Sequence, residues 1–425
     1  MTVELISVGT ELLMGNIVNT NANYLSVQCA DMGFSMYHQV TVGDNEGRLY
    51  EAIKNAMERA DIIILTGGLG PTSDDITKET LAKVLGRSVI MDEHSRERIL
   101  SYMSRITSGN NKDISKGLAK IAENNWKQAL KIEDSIVIDN ENGTAPGYIV
   151  EDNGKMFLLL PGPPSEMIPM FQYSMLPYLK KLQDKVFVTR MVKICGIGES
   201  AAETMMMDLI ERQSNPTIAP YAKSGEVHFR ITAAAKNTEE ALNLLYPVIH
   251  EMKSRFGNNI YTTDEDMTLE GTVVELLRRH KLTLATAESC TGGLVSGRIV
   301  NVPGASDTLM EGFITYSNNA KIKYLQVSPK TLETYGAVSE QTAKEMAVGA
   351  IKASGCDVSV SVTGIAGPGG KTEEKPVGLV YISCCAGGKI FTTERYFKGN
   401  REKIRESSVV AALDLIRRSV TEVYG

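Results

Sequence analysis

The stretch DIIILTGGLGPTSDD, residues 61–75, sets the architecture predicted for the first part of the chain. Its run IIIL is apolar without a break, which is typical of a parallel strand covered on both faces. Val3–Val8 is a second apolar run, and Asn21–Gly33 and Arg48–Arg59 have helical periodicity. Because strands alternate with helices, the sequence predicts a doubly wound α/β domain over residues 1–171.

Residues 172–258 have a different pattern, which predicts a small α+β module. The stretch 226–235 alternates between apolar and polar residues, as a half-buried strand does. The other predicted elements are a β-rich stretch and two helices, at Val186–Ile194, Glu199–Glu211 and Thr238–Arg255. The polar stretch GNNIYTTDED, residues 257–266, is interpreted as a linker.

The last part of the chain, residues 267–425, is predicted to form a second α/β domain. It opens with an amphipathic helix that Thr268 or Asp266 can cap. Strand-like runs follow at Thr283–Ala287, Phe313–Tyr316, Val358–Val362 and Leu379–Cys384. Polar and glycine-rich motifs gather where these runs end. Because ligands of α/β sheets bind at the carboxyl ends of strands, this clustering predicts a binding site.

Composition indicates several folded domains and excludes some classes of partner. The 425 residues include 45 basic and 51 acidic ones, with a net charge of −6, so no electrostatic argument favours nucleic acid. Six cysteines without CxxC spacing are typical of reduced thiols. No basic region precedes the first strand, and no apolar run approaches the ~20 residues of a membrane span. We therefore expect a cytoplasmic protein without membrane contact.

Three loops of the first domain are candidates for binding phosphate groups: GTELLMGNIVNTN (9–21), TGGLGPTSDD (66–75) and PGPPSE (161–166). Glycine lets backbone amides approach phosphate oxygens, and a following helix N-terminus adds a favourable field. Asp74 and Asp75 could hold a divalent cation or accept hydrogen bonds from a ribose, and Asp44 and Glu166 are further candidates. The plainer interpretation, in which the glycines make turns and the acids cap helices, stays open.

The motif GIGES, residues 196–200, is interpreted as a turn that enters a helix. It lacks the third glycine of a dinucleotide-binding fingerprint. Glu199 and Glu203 are acidic, which opposes a KH-type nucleic-acid loop.

Glycine-rich motifs of the last domain, AESCTGG (287–293) and VTGIAGPGG (362–370), mark a possible hydrolase site. Amide hydrolysis needs a nucleophile that loses its proton near neutral pH and a stabilised oxyanion. No histidine lies in these loops, so a serine activated by a lysine of lowered pKa is the arrangement to test. Taken singly, Ser306 could cap a helix, Lys321 could be a surface lysine, and Cys290 a buried thiol.

Together these motifs resemble the CinA family over essentially the whole chain. The three N-terminal loops resemble the molybdopterin-binding fold of the MogA and MoeA type, and the middle module resembles a KH-like linking domain. AESCTGG, GFITYSNNAK, GAVSE, VTGIAGPGG and EEKPVG are similar, in this order, to the nicotinamide-nucleotide amidase domain of CinA. The resemblance implies three domains, at residues 1–171, 172–258 and 267–425.

The resemblance also implies roles for particular residues. In the amidase domain Ser306 would be the nucleophile, Lys321 the general base and Tyr316 an assisting group. The implied substrate-binding residues there are Ser289, Thr291, Gly292, Thr363, Gly364 and Arg401. In the N-terminal domain they are Glu11, Asn21, Gly67, Gly68, Gly70, Pro71, Thr72, Pro161 and Gly162. A divalent metal ion, Mg²⁺ or Co²⁺, would be held by Asp44, Asp75 and Glu166, whereas the amidase would need no cofactor.

A bifunctional nucleotide hydrolase is therefore expected. The C-terminal domain would convert nicotinamide mononucleotide to nicotinate mononucleotide and ammonia, and the N-terminal domain would hydrolyse ADP-ribose to AMP and ribose 5-phosphate. The resemblance also implies a homodimer. Two departures from the family pattern, Ala305 and Asn319, remove no implied catalytic group. Two other functions stay open: a non-enzymatic adaptor in competence or DNA damage, and a pterin- or nucleotide-binding sensor.

Overall fold

The run at residues 62–66 is a central strand of a six-stranded sheet, as its apolar sequence predicts. The computed structural model describes residues 1–107 and 125–425. The chain divides into two units: Met1–Phe187 with Ala234–Thr238, and Val188–Ala233 with Glu239–Gly425.

The first unit alternates strands and helices along the chain. Its elements are β1 (Thr2–Val8), α1 (Thr10–Leu13), α2 (Thr20–Asp31), β2 (Ser35–Val42), α3 (Glu46–Arg59), β3 (Ile62–Thr66), α4 (Thr77–Leu85), β4 (Val89–Met91), α5 (Glu93–Thr107), β5 (Leu130–Ile132), β6 (Ile136–Ile138), β7 (Gly147–Asp152), β8 (Lys155–Leu160), α6 (Pro164–Met170) and α7 (Leu176–Lys181). A π-helical turn, Phe171–Met175, joins α6 to α7. The domain boundary predicted after Phe171 therefore falls inside a helical segment.

The large sheet of this unit has the order β2-β1-β3-β8-β7-β6. Strands β2, β1, β3 and β8 are parallel, and β7 and β6 are antiparallel. Both faces of β3 are buried: Ile63 and Leu65 pack into one core, and Ile62 and Ile64 into another. This two-sided covering confirms the predicted doubly wound architecture.

The second unit holds two further sheets. Its elements are β9 (Val186–Cys195), α8 (Glu199–Arg212), β10 (Thr217–Lys223), β11 (Glu226–Ala235), α9 (Thr238–Phe256), β12 (Ile260–Thr262), α10 (Leu269–Arg279), β13 (Leu284–Glu288), α11 (Leu294–Val300), β14 (Leu309–Ile314), α12 (Asn318–Leu325), α13 (Pro329–Tyr335), α14 (Glu340–Ser354), β15 (Val358–Gly364), β16 (Leu379–Ala386), β17 (Lys389–Tyr396) and α15 (Arg401–Tyr424). A few residues at the ends of β9, β11 and α9 are assigned to the first unit.

The smaller sheet has the order β10-β11-β9-β12 and confirms the predicted α+β module. Strand β12 lies within the stretch 257–266 that the sequence analysis interpreted as a linker, so that interpretation is wrong for its middle residues. Ile260 pairs with Ile194 of β9. Tyr261 is buried and donates a hydrogen bond to Glu226, which explains why this short polar stretch becomes a strand.

The larger sheet has the order β14-β13-β15-β16-β17, with β14, β13 and β15 parallel. Every residue of β13 is buried. The helix predicted after Asp266 begins at Leu269, and Thr268 caps it by accepting a hydrogen bond from the amide of Gly271 at 3.1 Å. The strand predicted at Phe313–Tyr316 lies earlier in the chain. Strand β14 covers Leu309–Ile314, and Thr315 and Tyr316 belong to the loop that follows it. Within the described residues, no helix has both the length and the apolar character needed to cross a membrane.

Candidate functional site

A buried lysine and a serine meet at the carboxyl ends of β13 and β14. The Lys321 side chain is fully buried, and its ammonium group donates a hydrogen bond to Ser289 Oγ at 3.0 Å. It also donates to the carbonyl oxygens of Thr315 at 2.7 Å and Tyr316 at 3.3 Å. None of these three acceptors is a carboxylate. Burial therefore dominates and lowers the pKa of Lys321 to about 8.

Local structure explains how Lys321 reaches this position. Ser317 caps α12 by accepting a hydrogen bond from the amide of Ala320 at 3.1 Å, so Lys321 lies in the first turn. Side chains on a helix lean toward its N-terminus, which directs this lysine back to the strand ends. Ser289 directly follows β13, and its amide donates to the carbonyl oxygen of Val362 on β15. Because β13 and β14 are parallel neighbours, the serine and the lysine both lie at the carboxyl-terminal end of the sheet.

Ser306, the nucleophile implied by the sequence, does not meet Lys321. It is exposed and lies in the short turn Ala305–Asp307 that precedes β14, whereas Lys321 follows the other end of that strand. Six strand residues span roughly 20 Å. The implied pairing of Ser306 with Lys321 is therefore wrong, and Ser289 is the serine beside the lysine. The sequence contained one indication in favour of Ser289. This residue follows a predicted strand, where ligands of α/β sheets bind, whereas Ser306 precedes one.

The loop that carries Ser289 is held by two residues that the sequence analysis did not single out for this role. Glu288 is fully buried, and its carboxylate accepts hydrogen bonds from the amides of Gly293, Val295 and Ser296 at 2.9–3.1 Å. It thereby satisfies free amides in the first turn of α11. Arg405 of α15 donates to the carbonyl oxygens of Cys290 at 3.0 Å and Thr291 at 2.7 Å.

Other predicted residues of this domain divide into two groups. Arg401 lies near Tyr316: its guanidinium donates to the carbonyl oxygen of Gly367 at 2.7 Å and to the Tyr316 hydroxyl at 3.4 Å. Thr363 and Gly364 have structural contacts instead. The Thr363 hydroxyl donates to the carbonyl oxygen of Ala337 at 2.6 Å, and a Cβ on Gly364 would lie 2.6 Å from the Val380 side chain.

Two buried threonine hydroxyls remain without a hydrogen-bond partner among the described residues. They belong to Thr291, in the Ser289 loop, and to Thr315, whose carbonyl oxygen binds Lys321. An unsatisfied buried hydroxyl costs about 1–3 kcal/mol, so these groups are available to a ligand or a bound water. Gly292 adopts a positive φ of 61° in the turn before α11. Cys290 is buried, which raises its pKa to about 12 and keeps it a thiol at neutral pH.

In the first unit, the three predicted loops line one cleft with a volume of about 430 Å³. The predicted residues that line it are Glu11, Gly67, Gly68, Gly70, Pro71, Pro161 and Gly162, together with Asp44, Asp75 and Glu166. Asn21 donates to the carbonyl oxygen of Gly162 at 2.7 Å, and Thr72 donates through its amide to Asp75 at 2.9 Å. The loops are distant in sequence, so the fold gathers them.

The three carboxylates implied as metal ligands each bind a neighbouring group through one oxygen. Asp44 accepts from the Thr10 hydroxyl at 2.8 Å, Asp75 from the Thr72 hydroxyl at 2.5 Å, and Glu166 from the Asn140 amide at 2.7 Å. Burial raises the pKa of Glu166. Residues 1–107 and 125–425 contain no cluster of three or more His, Cys, Asp or Glu side chains suited to a metal ion. The implied set is thus not a preformed protein cage.

The glycine-rich loop at 66–75 has a structural explanation as well. Gly67 has a φ of 93°, and a Cβ there would collide with the carbonyl oxygen of Val8. Lys127, which the sequence analysis missed, donates to the carbonyl oxygens of Thr72 at 2.7 Å and Asp75 at 2.5 Å.

The turn at 196–198 leads into α8 with Gly198 as its N-cap, as interpreted from the sequence.

Family models match the chain in three places. They describe a probable molybdopterin binding domain at residues 4–181, a damage-inducible protein CinA KH domain at 189–262 and a CinA C-terminal domain at 266–420. The predicted fold, a molybdopterin-binding-like α/β domain, a KH-like module and a C-terminal α/β domain, is confirmed.

Two relatives over the full length agree with these matches. A protein of Clostridium acetobutylicum named for competence-damage induction is 49% identical over 420 residues, covering 99% of each chain. A CinA-like protein of Kosmotoga olearia is 48% identical over 421 residues, covering 99% of each chain. The crystal structure of a competence/damage inducible protein from Agrobacterium tumefaciens is 42% identical, covers 36% of this chain and 93% of that one, and gives a TM-score of 0.35. The chain belongs to the CinA family.

Proposed function

We propose that the C-terminal domain hydrolyses the carboxamide of nicotinamide mononucleotide, giving nicotinate mononucleotide and ammonia. One observation carries the proposal: a buried lysine with a pKa of about 8 donates a hydrogen bond to a serine hydroxyl at 3.0 Å. A lysine ammonium with its usual pKa near ~10.4 would be a poor base at neutral pH. Because burial lowers this pKa, a larger fraction of Lys321 carries the neutral amine near neutral pH, and the neutral amine is the form that can activate a serine.

The chemistry follows from this pair. The neutral amine of Lys321 takes the proton of Ser289 while Oγ attacks the carboxamide carbon. Backbone amides of the turn after Ser289 are the candidate donors to the oxyanion. The ammonium of Lys321 then returns the proton to the leaving nitrogen, and ammonia departs from an acyl-serine. Water attacks this ester, with Lys321 again as the base, and releases the carboxylate product and free Ser289.

Groups around the pair are suited to a nicotinamide nucleotide. The hydroxyls of Thr291 and Thr315 are buried without partners among the described residues, so they can bind the polar edge of a carboxamide. Arg401 and Tyr316 lie together nearby, and a guanidinium is suited to bidentate binding of a phosphate. The identity of the nucleotide rests on the family resemblance of the amidase motifs.

Ammonia release from nicotinamide mononucleotide tests the proposal. We expect Ser289→Ala and Lys321→Ala each to lower kcat by at least ~1,000-fold, as losses of a nucleophile or its base do. Ser306→Ala is the matched control, because it removes a hydroxyl at the amino-terminal end of β14, away from Lys321, and should keep near wild-type activity. Inactive Ser306→Ala with active Ser289→Ala would overturn the assignment. Binding of the nucleotide by wild type without any turnover would favour an adaptor.

For the N-terminal domain we propose hydrolysis of ADP-ribose to AMP and ribose 5-phosphate. The support is a single cleft that gathers three glycine-containing loops and the acids Asp44, Asp75 and Glu166. Asp44, Asp75 and Glu166 would hold a divalent ion, which would supply positive charge that offsets the charge of the pyrophosphate. Mg²⁺ often takes only one or two carboxylates and completes its coordination with substrate phosphates. A set of separated acids fits that use better than it fits a closed metal cage.

AMP release from ADP-ribose tests this second activity. We expect it to need Mg²⁺ or Co²⁺, to stop with EDTA and to fall strongly in Asp75→Ala. Ammonia release by the same variant is the internal control, since it belongs to the other unit. Tight ADP-ribose binding without AMP release, with and without metal, would support a sensor instead.

A further inference from the structure

A cleft in the second unit lies between the KH-like module and the C-terminal α/β domain. The turn Gly196–Gly198 forms one wall, and the end of β17 with helix α15 forms the other. Its volume of about 480 Å³ falls within the ~300–1,000 Å³ typical of small-molecule sites. The proposed amidase chemistry does not use it.

Helix α15 separates this cleft from the Ser289 loop. Arg405 contacts that loop, whereas Ser407 lines the cleft. Two residues along a helix correspond to a rotation of about 200°, so the two side chains leave opposite faces. The cleft is therefore a second site on the same helix, not an extension of the first.

Two polar side chains of the cleft have no partner in the described parts of the chain. Ser407 is only 8% exposed, and its hydroxyl makes no hydrogen bond there. The guanidinium of Arg395, at the end of β17, forms no ion pair with any described carboxylate. Arg418, by contrast, is bound to Asp414 at 2.7 Å and to Asn259 at 2.7 Å. The acid of the cleft is thus neutralised, and Arg395 leaves a positive charge for a ligand.

The remaining lining suits a phosphate and a flat ring. Gly198 begins the fourteen-residue helix α8, no side chain caps that helix, and a Cβ at Gly198 would meet no atom within 4 Å. The first amides of α8 are thus free of a side-chain cap and can donate to an anion, while the exposed Glu199 of the same turn limits the charge that is favoured there. Phe397, which packs against the core under α15, presents aromatic surface, and Val410 adds an apolar wall.

We infer that this cleft binds a nucleoside monophosphate. Arg395 and the amides at the start of α8 face the phosphate, the ring of Phe397 lies beside the base, and Ser407 bonds a polar edge of the nucleoside. The Ser407 hydroxyl makes no hydrogen bond within the described residues, so it can donate to or accept from the entering ligand.

Photolabelling of the full-length protein with 8-azidoadenosine 5′-monophosphate, followed by peptide mapping, tests the site. We expect label in residues 393–397 or 407–415, and we expect AMP to suppress it far better than inorganic phosphate or adenosine alone. Label confined to the first unit or to residues 289–321 would overturn the inference. Equal suppression by phosphate and AMP would also contradict it, because the nucleoside would then go unrecognised.

Variants separate binding from folding. Arg395→Gln should weaken AMP binding in the cleft by about tenfold or more, the size of a lost charged hydrogen bond. Arg279→Gln is the charge-matched control, since Arg279 is exposed on α10 and pairs with Glu275, and its affinity should equal wild type. Ser407→Ala should weaken binding several-fold while leaving Tm unchanged or raised. Undiminished labelling in both Arg395→Gln and Ser407→Ala would refute the site.

Discussion

The ammonium group of Lys321 lies 3.0 Å from the hydroxyl of Ser289, although the two residues are 32 positions apart in the chain. The contact exists because β13 and β14 are parallel neighbours. The amide of Thr315, just past β14, donates to the carbonyl oxygen of Glu288 at 2.8 Å, which brings the two strand ends together. The position of the pair thus depends on strand order.

The first prediction concerns the pH dependence of the amidase. Only the neutral amine of Lys321 can take the serine proton, and its pKa is about 8. We therefore expect kcat/KM for nicotinamide mononucleotide to rise with pH and to level off above about 8. Initial rates from pH 6 to 9.5 check this. A flat profile across pH 7–9 would mean that Lys321 is not the base.

The same group makes stability depend on pH. The pKa of Lys321 is about 8 in the folded protein but 10.5 for a lysine free of the fold, so the unfolded chain binds more protons between these values, and stability rises with pH through this window. The expected gain between pH 7 and pH 10 is about 2 kcal/mol for the wild type relative to Lys321→Met. Denaturant unfolding of both proteins at the two pH values measures it. An equal change in both proteins would contradict the prediction.

Much of the fold could be predicted because its signals are local. The apolar run at 62–66, the alternation at 226–235 and the Thr268 cap each depend on a few neighbouring residues. Strand β12 could not be predicted in this way. Its apolar character amounts to Ile260 and Tyr261, and its pairing partner, β9, is some 65 residues away.

The site was predicted less completely for the same reason. Motifs indicated Lys321 and the Ser289 loop. Choosing the serine that contacts the lysine requires knowing at which end of the strands, amino-terminal or carboxyl-terminal, each serine lies. Ser306 is nearer in sequence, yet β14 lies between it and Lys321. Glu288, Arg405 and Lys127 act through single tertiary contacts that no spacing reveals.

The third prediction concerns Glu288. Its carboxylate accepts bonds from three amides and from the Ser296 hydroxyl. In Glu288→Gln one carboxylate oxygen is replaced by an NH₂ group, which cannot accept hydrogen bonds from these amides. Hydrogen bonds to charged groups contribute ~1.5–3 kcal/mol each, so we expect the free energy of unfolding to fall by about 3 kcal/mol. Thermal unfolding measures it. Glu275→Gln, an exposed change on α10, is the control and should leave Tm within error.

Lys127 gives the fourth prediction. Because its ammonium group ties Thr72 and Asp75 together through their carbonyl oxygens, Lys127→Met should loosen the 66–75 loop. We expect kcat/KM for ADP-ribose to fall by about tenfold, the size of one lost charged hydrogen bond. Ammonia release by the same variant should stay at the wild-type level. An unchanged ADP-ribose rate would show that the loop does not need this tie.

The last prediction separates two roles for Arg401. Its guanidinium binds the carbonyl oxygen of Gly367 and approaches the Tyr316 hydroxyl, so it could either hold the 362–370 loop or bind the phosphate of the substrate. If it binds phosphate, Arg401→Gln should raise KM for nicotinamide mononucleotide by at least ~10-fold, because a bidentate guanidinium–phosphate contact is lost.

Nicotinamide riboside provides the comparison, because it has the same carboxamide without the phosphate. Its KM should be nearly the same for wild type and Arg401→Gln. Tyr316→Phe is the matched variant: it removes the hydroxyl at 3.4 Å from Arg401 but keeps the guanidinium, so KM for the nucleotide should change less than about threefold if Arg401 itself contacts the phosphate. If Arg401→Gln impaired both substrates equally, Arg401 would be acting on the loop through Gly367, and the phosphate would have to be bound elsewhere.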